Sequence, residues 1–254
     1  MYLTSLTINH ESFPTRECYP FDISVFQKTR RVDFSAPVTF LCGANGSGKS
    51  ALLDAIARKS GFLPWGGSKI HKAHGNPYET RLANCVTLDL NPRRPYGFYF
   101  RAESFFNFAA SLDDILMTDP GRDRYFGGCS LNTVSHGESF LTFFRSYGFQ
   151  LDGLYLLDEP ESALSPRNQV EFVRILLHGI QKGKKQYIVA THSPILLGCP
   201  GSQILSFDDS TIQTIDYRQT EPFRFYSEFL ADPEKFFESC LHFDRAGCTV
   251  ETRS

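Results

Sequence analysis

The sequence predicts an α/β fold: a mostly parallel sheet flanked by helices, with an antiparallel β edge. Three observations carry this expectation. Strand-length apolar runs alternate with segments whose apolar residues recur at helical spacing, the pattern of a parallel sheet covered on both faces. The run Val38–Cys42 stops at a glycine-rich loop, and a helical pattern begins at Lys49. A second buried-type run, Gly153–Leu157, ends in Asp158-Glu159-Pro160. Ligands of such sheets sit at the carboxyl ends of the strands, where both of these features fall.

The elements follow in order. Leu3–Ile8 alternates apolar and polar residues and reads as a half-buried strand. Lys49–Lys59 carries Leu52, Leu53 and Ile56 at helical spacing. Gly61–Thr80 is rich in Gly, Pro and His and reads as irregular surface structure. Cys85–Leu90 and Phe98–Arg101 are β-like; Phe-rich helical segments around Ser104–Met117 and a Gly/Asp/Arg loop ending near Gly128 come next. Many of the 24 phenylalanines fall here, and a core role accounts for them. Phe140, Leu141, Phe143, Phe144 and Tyr147 share one helical face. Ser165-Pro166 sets a capping hydroxyl before a proline at the first helical position, opening a helix to about Gly179. Strands are expected at Gln186–Ala190, Gln203–Phe207 and Thr211–Tyr217, and Asp232-Pro233 opens a last helix. No repeat or linker divides the chain. It reads as one domain over residues 1–242, with a small helical subdomain at about 91–150 and a mobile tail at 243–254.

Composition narrows the function classes. With 254 residues, 41% hydrophobic and 21% charged, the chain can bury a full core. A formal net charge of −2 supplies no bulk attraction to nucleic acid or to an anionic membrane. Arg30-Arg31, Arg93-Arg94 and Lys182/Lys184/Lys185 read as solvated loops. Seven scattered cysteines without a C-x-x-C pair favour reduced thiols over a disulfide framework. Neither Cys240, His242 and Cys248 nor His71 and His74 match a common zinc spacing. No apolar run nears the roughly 18 residues of a membrane span, and the first residues lack a signal-peptide pattern, so a cytoplasmic location is expected.

Gly43-Ala44-Asn45-Gly46-Ser47-Gly48-Lys49-Ser50 fits the phosphate-loop pattern G-x-x-x-x-G-K-[ST]. Glycines let the backbone curl so that its N–H groups face the β- and γ-phosphates, and the following helix N-terminus favours anions. Lys49, expected at a solvent-facing end of the loop, brings a point charge to those phosphates, and the Ser50 hydroxyl is a Mg²⁺ ligand. Asp158 is a second candidate for Mg²⁺, and Glu159 for polarising an attacking water; a solvated strand end is the alternative for this pair when taken alone. Ser135, Gly137 and Glu138 open the Phe140–Tyr147 helix, either as an ordinary N-cap or as a further anion pocket that a partner subunit's nucleotide would use. His192, just past Gln186–Ala190, is either a structural imidazole or a hydrogen-bond partner of the γ-phosphate or the water.

In this order, these elements resemble the ABC ATPase family over about residues 3–207. Gly43–Ser50 looks like its Walker A motif, Leu154–Glu159 like Walker B, and Ser135-His136-Gly137-Glu138 like the signature that contacts ATP held by the opposing subunit. Ser162-Ala163-Leu164-Ser165 lies where the D-loop falls, and His192 where the switch histidine falls. Asn45, Glu138, Glu159-Pro160-Glu161 and Thr191-His192-Ser193-Pro194 look like the soluble RecF/SMC-type branch, and the whole chain is similar to bacterial predicted ATPases. His136 replaces a transporter glycine, and Ser165 an aspartate. Glu103 and Ser104 are the nearest Q-loop candidates; Tyr19 and Phe21 are the aromatic candidates for adenine. The resemblance implies ATP and Mg²⁺ as ligands, hydrolysis with Glu159 as base, and an ATP-dependent homodimer serving a DNA-, RNA- or protein-linked process. A transporter's nucleotide-binding subunit and a non-hydrolysing nucleotide switch are the alternatives.

Overall fold

A computed structural model of the chain describes residues 1–62, 64–65, 76–103 and 136–247. Its strands are β1 (Leu3–Ile8), β2 (Arg31–Asp33), β3 (Val38–Cys42), β4 (Pro64–Trp65), β5 (Val86–Leu90), β6 (Gly97–Arg101), β7 (Gly153–Asp158), β8 (Lys185–Ala190), β9 (Gln203–Ser206) and β10 (Gln213–Thr214). The described helices are α1 (Ser24–Lys28), α2 (Lys49–Ser60), α3 (His136–Arg145), α4 (Tyr147–Gln150), α5 (Pro166–Lys182), α6 (Pro194–Leu197), α7 (Glu221–Ala231) and α8 (Pro233–Gly247).

Seven strands form the main sheet in the order β10-β9-β3-β8-β7-β6-β4, all parallel except the antiparallel edge strand β10. Side chains alternate across a strand, so each central strand feeds two cores. Leu41, Leu154, Leu156, Ile188 and Ala190 pack with Leu52, Leu53 and Ile56 of α2. Val38, Phe40, Tyr155, Leu157, Tyr187 and Val189 face Phe140, Phe143 and Phe144 of α3 and Phe172 of α5. The expected aromatic core is present among the described residues. Phe144, for example, lies 4.7 Å from the Phe149 ring and 4.9 Å from that of Phe172. Ser104–Met117 and the loop near Gly128 lie outside the described residues.

A second, antiparallel sheet, β2-β1-β5, covers the α2 side. Two buried glutamines join the sheets. Gln186 of β8 accepts from Tyr2 N at 2.7 Å and Leu3 N at 2.8 Å, and donates to Leu3 O at 2.8 Å. Gln203 of β9 accepts from Ser35 N and donates to Asp33 O, each at 2.9 Å. One side chain thus satisfies backbone groups that have no ladder partner there.

Several boundaries differ from expectation. The strand expected over Thr211–Tyr217 shrinks to Gln213–Thr214. Ile212 N turns instead to Thr29 Oγ1 at 2.9 Å, and Asp216 N to Gln219 Oε1 at 2.8 Å, which ends the ladder on both sides. Glu221–Ala231, expected as no element, is a helix capped by Thr220 with Pro222 in its first turn. The last helix runs through Gly247, into the stretch expected as a tail; residues 248–254 lie outside the described residues.

Candidate functional site

The parallel registers put four strand ends on one level. Leu41 of β3 pairs with Ala190 of β8, Ala190 with Asp158 of β7, and Asp158 with Arg101 of β6. One residue further on, Glu159 N bonds Ala190 O at 2.9 Å and Thr191 N bonds Leu41 O at 3.1 Å. Because β8 lies between β3 and β7, His192 emerges between the glycine loop and the acidic pair.

The glycine loop curls as its residues require. Gly43, Gly46 and Gly48 all have positive φ, at 144°, 77° and 104°. At Gly48 a Cβ would also stand 2.7 Å from Phe26 Cε2, so α1 packs directly under the loop. Ala44, Asn45 and Gly46 form an exposed tip, while Lys49 is only 5% exposed. The solvent-facing lysine expected from sequence is therefore corrected: its Nζ turns inward and donates to Gly43 O at 2.7 Å and Ala44 O at 2.9 Å. Burial lowers its pKa, against the opposing pull of Glu159, Asp158 and Asp208.

Ser50 Oγ donates to Asp158 Oδ1 at 2.9 Å, tying the first turn of α2 to the end of β7. Tyr99 OH donates to Asp158 Oδ2 at 3.1 Å; Arg101 Nε donates to Tyr99 OH at 2.7 Å and stands 3.6 Å from Asp158 Oδ2. Burial raises the Asp158 pKa, while Arg101, Ser50 and Tyr99 counteract it. A hydroxyl and a carboxylate oxygen in contact are hard donors of the kind Mg²⁺ takes, so this pair fits the expected ion.

Glu159 is the only non-glycine residue with positive φ among the described residues, at φ 50° and ψ 50°. That turn lifts its carboxylate off the strand end to 3.9 Å from His192 Nε2. Burial lowers the His192 pKa and Lys49 lowers it further, against the opposing pull of Glu221, Asp208 and Asp158. Its loop is strapped from behind. Glu161 Oε1 accepts from His192 N at 2.6 Å, and Ser193 Oγ donates to Gln169 Oε1 at 2.5 Å. A cleft of about 480 Å³ opens between Gly43, Ala44, Asn45, Glu159, His192, Asp208 and Glu221.

The structure thus brings together Gly43–Ser50, Asp158, Glu159 and His192. Gly137 and Glu138 stand in the first turn of α3, and Ser135 and Ser104 lie outside the described residues. Phe21 is corrected as an adenine candidate, being fully buried against Phe13; Tyr19 is 36% exposed. Sequence reasoning missed Tyr99, Arg101 and Asp208. Arg101 and Asp208 sit at or just past strand ends, the signal that singled out Asp158. Asp208 Oδ1 accepts from Ala44 N at 2.9 Å and so braces the loop. Among the described residues there is no cluster of metal-binding side chains of the zinc type and no disulfide; His71, His74 and Cys248 lie outside them.

Two stretches match protein-family models. Residues 22–58 match one described as "AAA domain", and residues 133–198 match one described as "AAA domain, putative AbiEii toxin, Type IV TA system". No curated protein matches the chain in sequence. Among solved structures, it is similar to the SMC head domain from Thermotoga maritima (18% identity, 85% of this chain and 99% of that one, TM-score 0.47). It is also similar to cbiO1 from Clostridium perfringens, part of the ABC transporter complex cbiONQ (14% identity, 97% and 98%, TM-score 0.46). A third is MJ1267, an ATP-binding cassette of an ABC transporter (13% identity, 92% and 97%, TM-score 0.45). The two family matches cover the glycine loop and the stretch that carries Asp158, Glu159 and His192.

Proposed function

We propose that the chain binds MgATP along Gly43–Ser50 and hydrolyses it, as a soluble cytoplasmic ATPase that closes into a nucleotide-sandwich dimer. The observation that carries this reading is the 2.9 Å contact of Ser50 with Asp158, with Glu159 and His192 beside it at one cleft. Amides of the loop tip and the N-terminus of α2 receive the phosphates. Lys49 exchanges its own loop carbonyls for phosphate oxygens, a stronger charge-assisted pairing. Ser50 and Asp158 would hold Mg²⁺, which would supply charge neutralisation to the triphosphate. Glu159, free to reach into the cleft, accepts the proton of the attacking water, and neutral His192 donates a hydrogen bond to the γ-phosphate or orients that water. Glu161 and Gln169 keep the His192 loop in place.

Ser135, Gly137 and Glu138 close on the γ-phosphate of a second subunit, since the chain's own nucleotide already has a cradle. The dimer then drives a process on DNA, RNA or a protein partner. No helix among the described residues is long and apolar enough to cross a membrane. Phosphate release by the purified chain, with Mg²⁺ and with a chelator, tests the reading. Mg²⁺-dependent release supports it, and a chain that neither binds nor hydrolyses ATP overturns it.

A further inference from the structure

Among the described side chains around the loop, Arg101 has no place in the roles given above, yet it is built into the site. It ends β6 directly beside Asp158 in the sheet register. Its Nε donates to Tyr99 OH at 2.7 Å and lies 3.6 Å from Asp158 Oδ2, and its guanidinium carbon sits 5.1 Å from the Tyr99 ring centroid. Tyr99 in turn is fully buried and donates to the same Asp158 oxygen. The two Asp158 oxygens are thus divided: Oδ1 faces Ser50, and Oδ2 faces the Tyr99–Arg101 pair.

We propose that Arg101 is a positioning cation that stands in for Mg²⁺ at Asp158 and sets how strongly nucleotide binding depends on the metal. The proposal rests on the nucleotide reading of this site. A buried carboxylate needs a positive partner, and Arg101 is the cation in an ion pair with Asp158, at 3.6 Å, among the described residues. When a divalent cation arrives on the Ser50 side, it shares Asp158 with a charge already there, so its affinity is reduced. When nucleotide arrives without metal, the same guanidinium offsets part of the repulsion between Asp158 and the triphosphate. Arg101 therefore acts in opposite directions on the two states. A residue that only supports the fold would weaken both together.

Binding of a fluorescent ATP analogue, in chelator and across a Mg²⁺ titration, separates the cases for the wild-type chain, Arg101→Gln, Arg101→Lys and Tyr99→Phe. Arg101→Gln is expected to weaken metal-free binding about 3- to 10-fold and to lower the half-saturating Mg²⁺ by a similar factor, the size of a partly exposed charge pair. Arg101→Lys keeps the charge and stays near wild type in both. Tyr99→Phe, which releases the guanidinium, moves both in the direction of Arg101→Gln. Equal weakening with and without metal in Arg101→Gln, or no change in either, overturns the proposal. A wild-type chain that binds the analogue under neither condition overturns the nucleotide reading itself, and this inference with it.

Discussion

Ser50 and Asp158, 108 residues apart in sequence, meet at 2.9 Å, oxygen to oxygen. This contact joins the glycine loop to the acidic strand end. Lys49, one residue earlier, spans the loop itself through Gly43 O and Ala44 O. Lys49→Ala removes both the phosphate charge and those two hydrogen bonds. ATP affinity is expected to fall by about 100-fold or more, the scale of a lost charge-assisted contact. Because the lysine is buried, stability should fall as well, by about 1–3 kcal/mol. Calorimetric titration and thermal melts measure the two losses separately.

The glutamine joint between the sheets carries a stability prediction far from the cleft. Gln186→Leu keeps the volume but leaves Tyr2 N, Leu3 N and Leu3 O buried or half-buried without their partner. The expected cost is about 3 kcal/mol, a fall in Tm of roughly 6–12 °C for a chain of this size. Urea melts check the free energy. A change below about 0.5 kcal/mol would mean that β1 finds other partners.

Glu161 gives the pH dependence. Burial raises its pKa above the ordinary 4.5, so the folded chain holds this proton to a higher pH than the unfolded chain does. Below the unfolded value both states are protonated. As pH rises through the folded value, the folded state must ionise a buried carboxyl, and stability is lost. Glu161→Gln cannot ionise, so the difference in Tm between variant and wild type should move in the variant's favour as pH rises from about 4.5 to neutrality. His192, whose pKa is lowered, has the opposite slope: its contribution is present at neutral pH and is lost as pH falls below 6.5 through its folded value. Melts of Glu161→Gln and His192→Asn across this range separate the two.

Assembly follows from the charges at the cleft. In the proposed dimer, Asp158 and Glu159 of the two facing subunits would oppose closure, and Glu159→Gln would remove part of that repulsion. This variant should sediment as a monomer without nucleotide and as a dimer with MgATP, burying well over about 1,000 Å². Adding Ser135→Arg should restore the monomer while ATP binding persists. A Glu159→Gln chain that stays monomeric at saturating MgATP contradicts the role given to Ser135, Gly137 and Glu138.

Much of this architecture was legible because it rests on local patterns. The strand ends at Cys42, Leu157 and Ala190 were marked by apolar runs meeting polar residues, and the α/β sheet follows from their alternation with helices. The nucleotide-site candidates Gly43–Ser50, Asp158, Glu159 and His192 lie on those ends, so the sheet alone brings them together. Arg101 and Asp208 share that strand-end position, but their pairing with Tyr99, Asp158 and Ala44 comes through register and long-range hydrogen bonds, which no local pattern encodes. The inward turn of Lys49 was hidden for the same reason, since its acceptors are carbonyls of a loop whose curl appears only in three dimensions. The last strand failed because Ile212 and Asp216 bond side chains instead of a neighbouring strand.

Glu159 is the group proposed to take the proton of the attacking water, and its left-handed turn lifts a carboxylate beside His192 at the mouth of the glycine loop. Single-turnover phosphate release at saturating MgATP, comparing wild type with Glu159→Gln, tests it most directly. The amide keeps shape and hydrogen bonding but cannot take the proton. Release should slow by roughly 10²–10⁴-fold, with bound nucleotide retained. Release at the wild-type rate would contradict it and move the base to another group of the cleft.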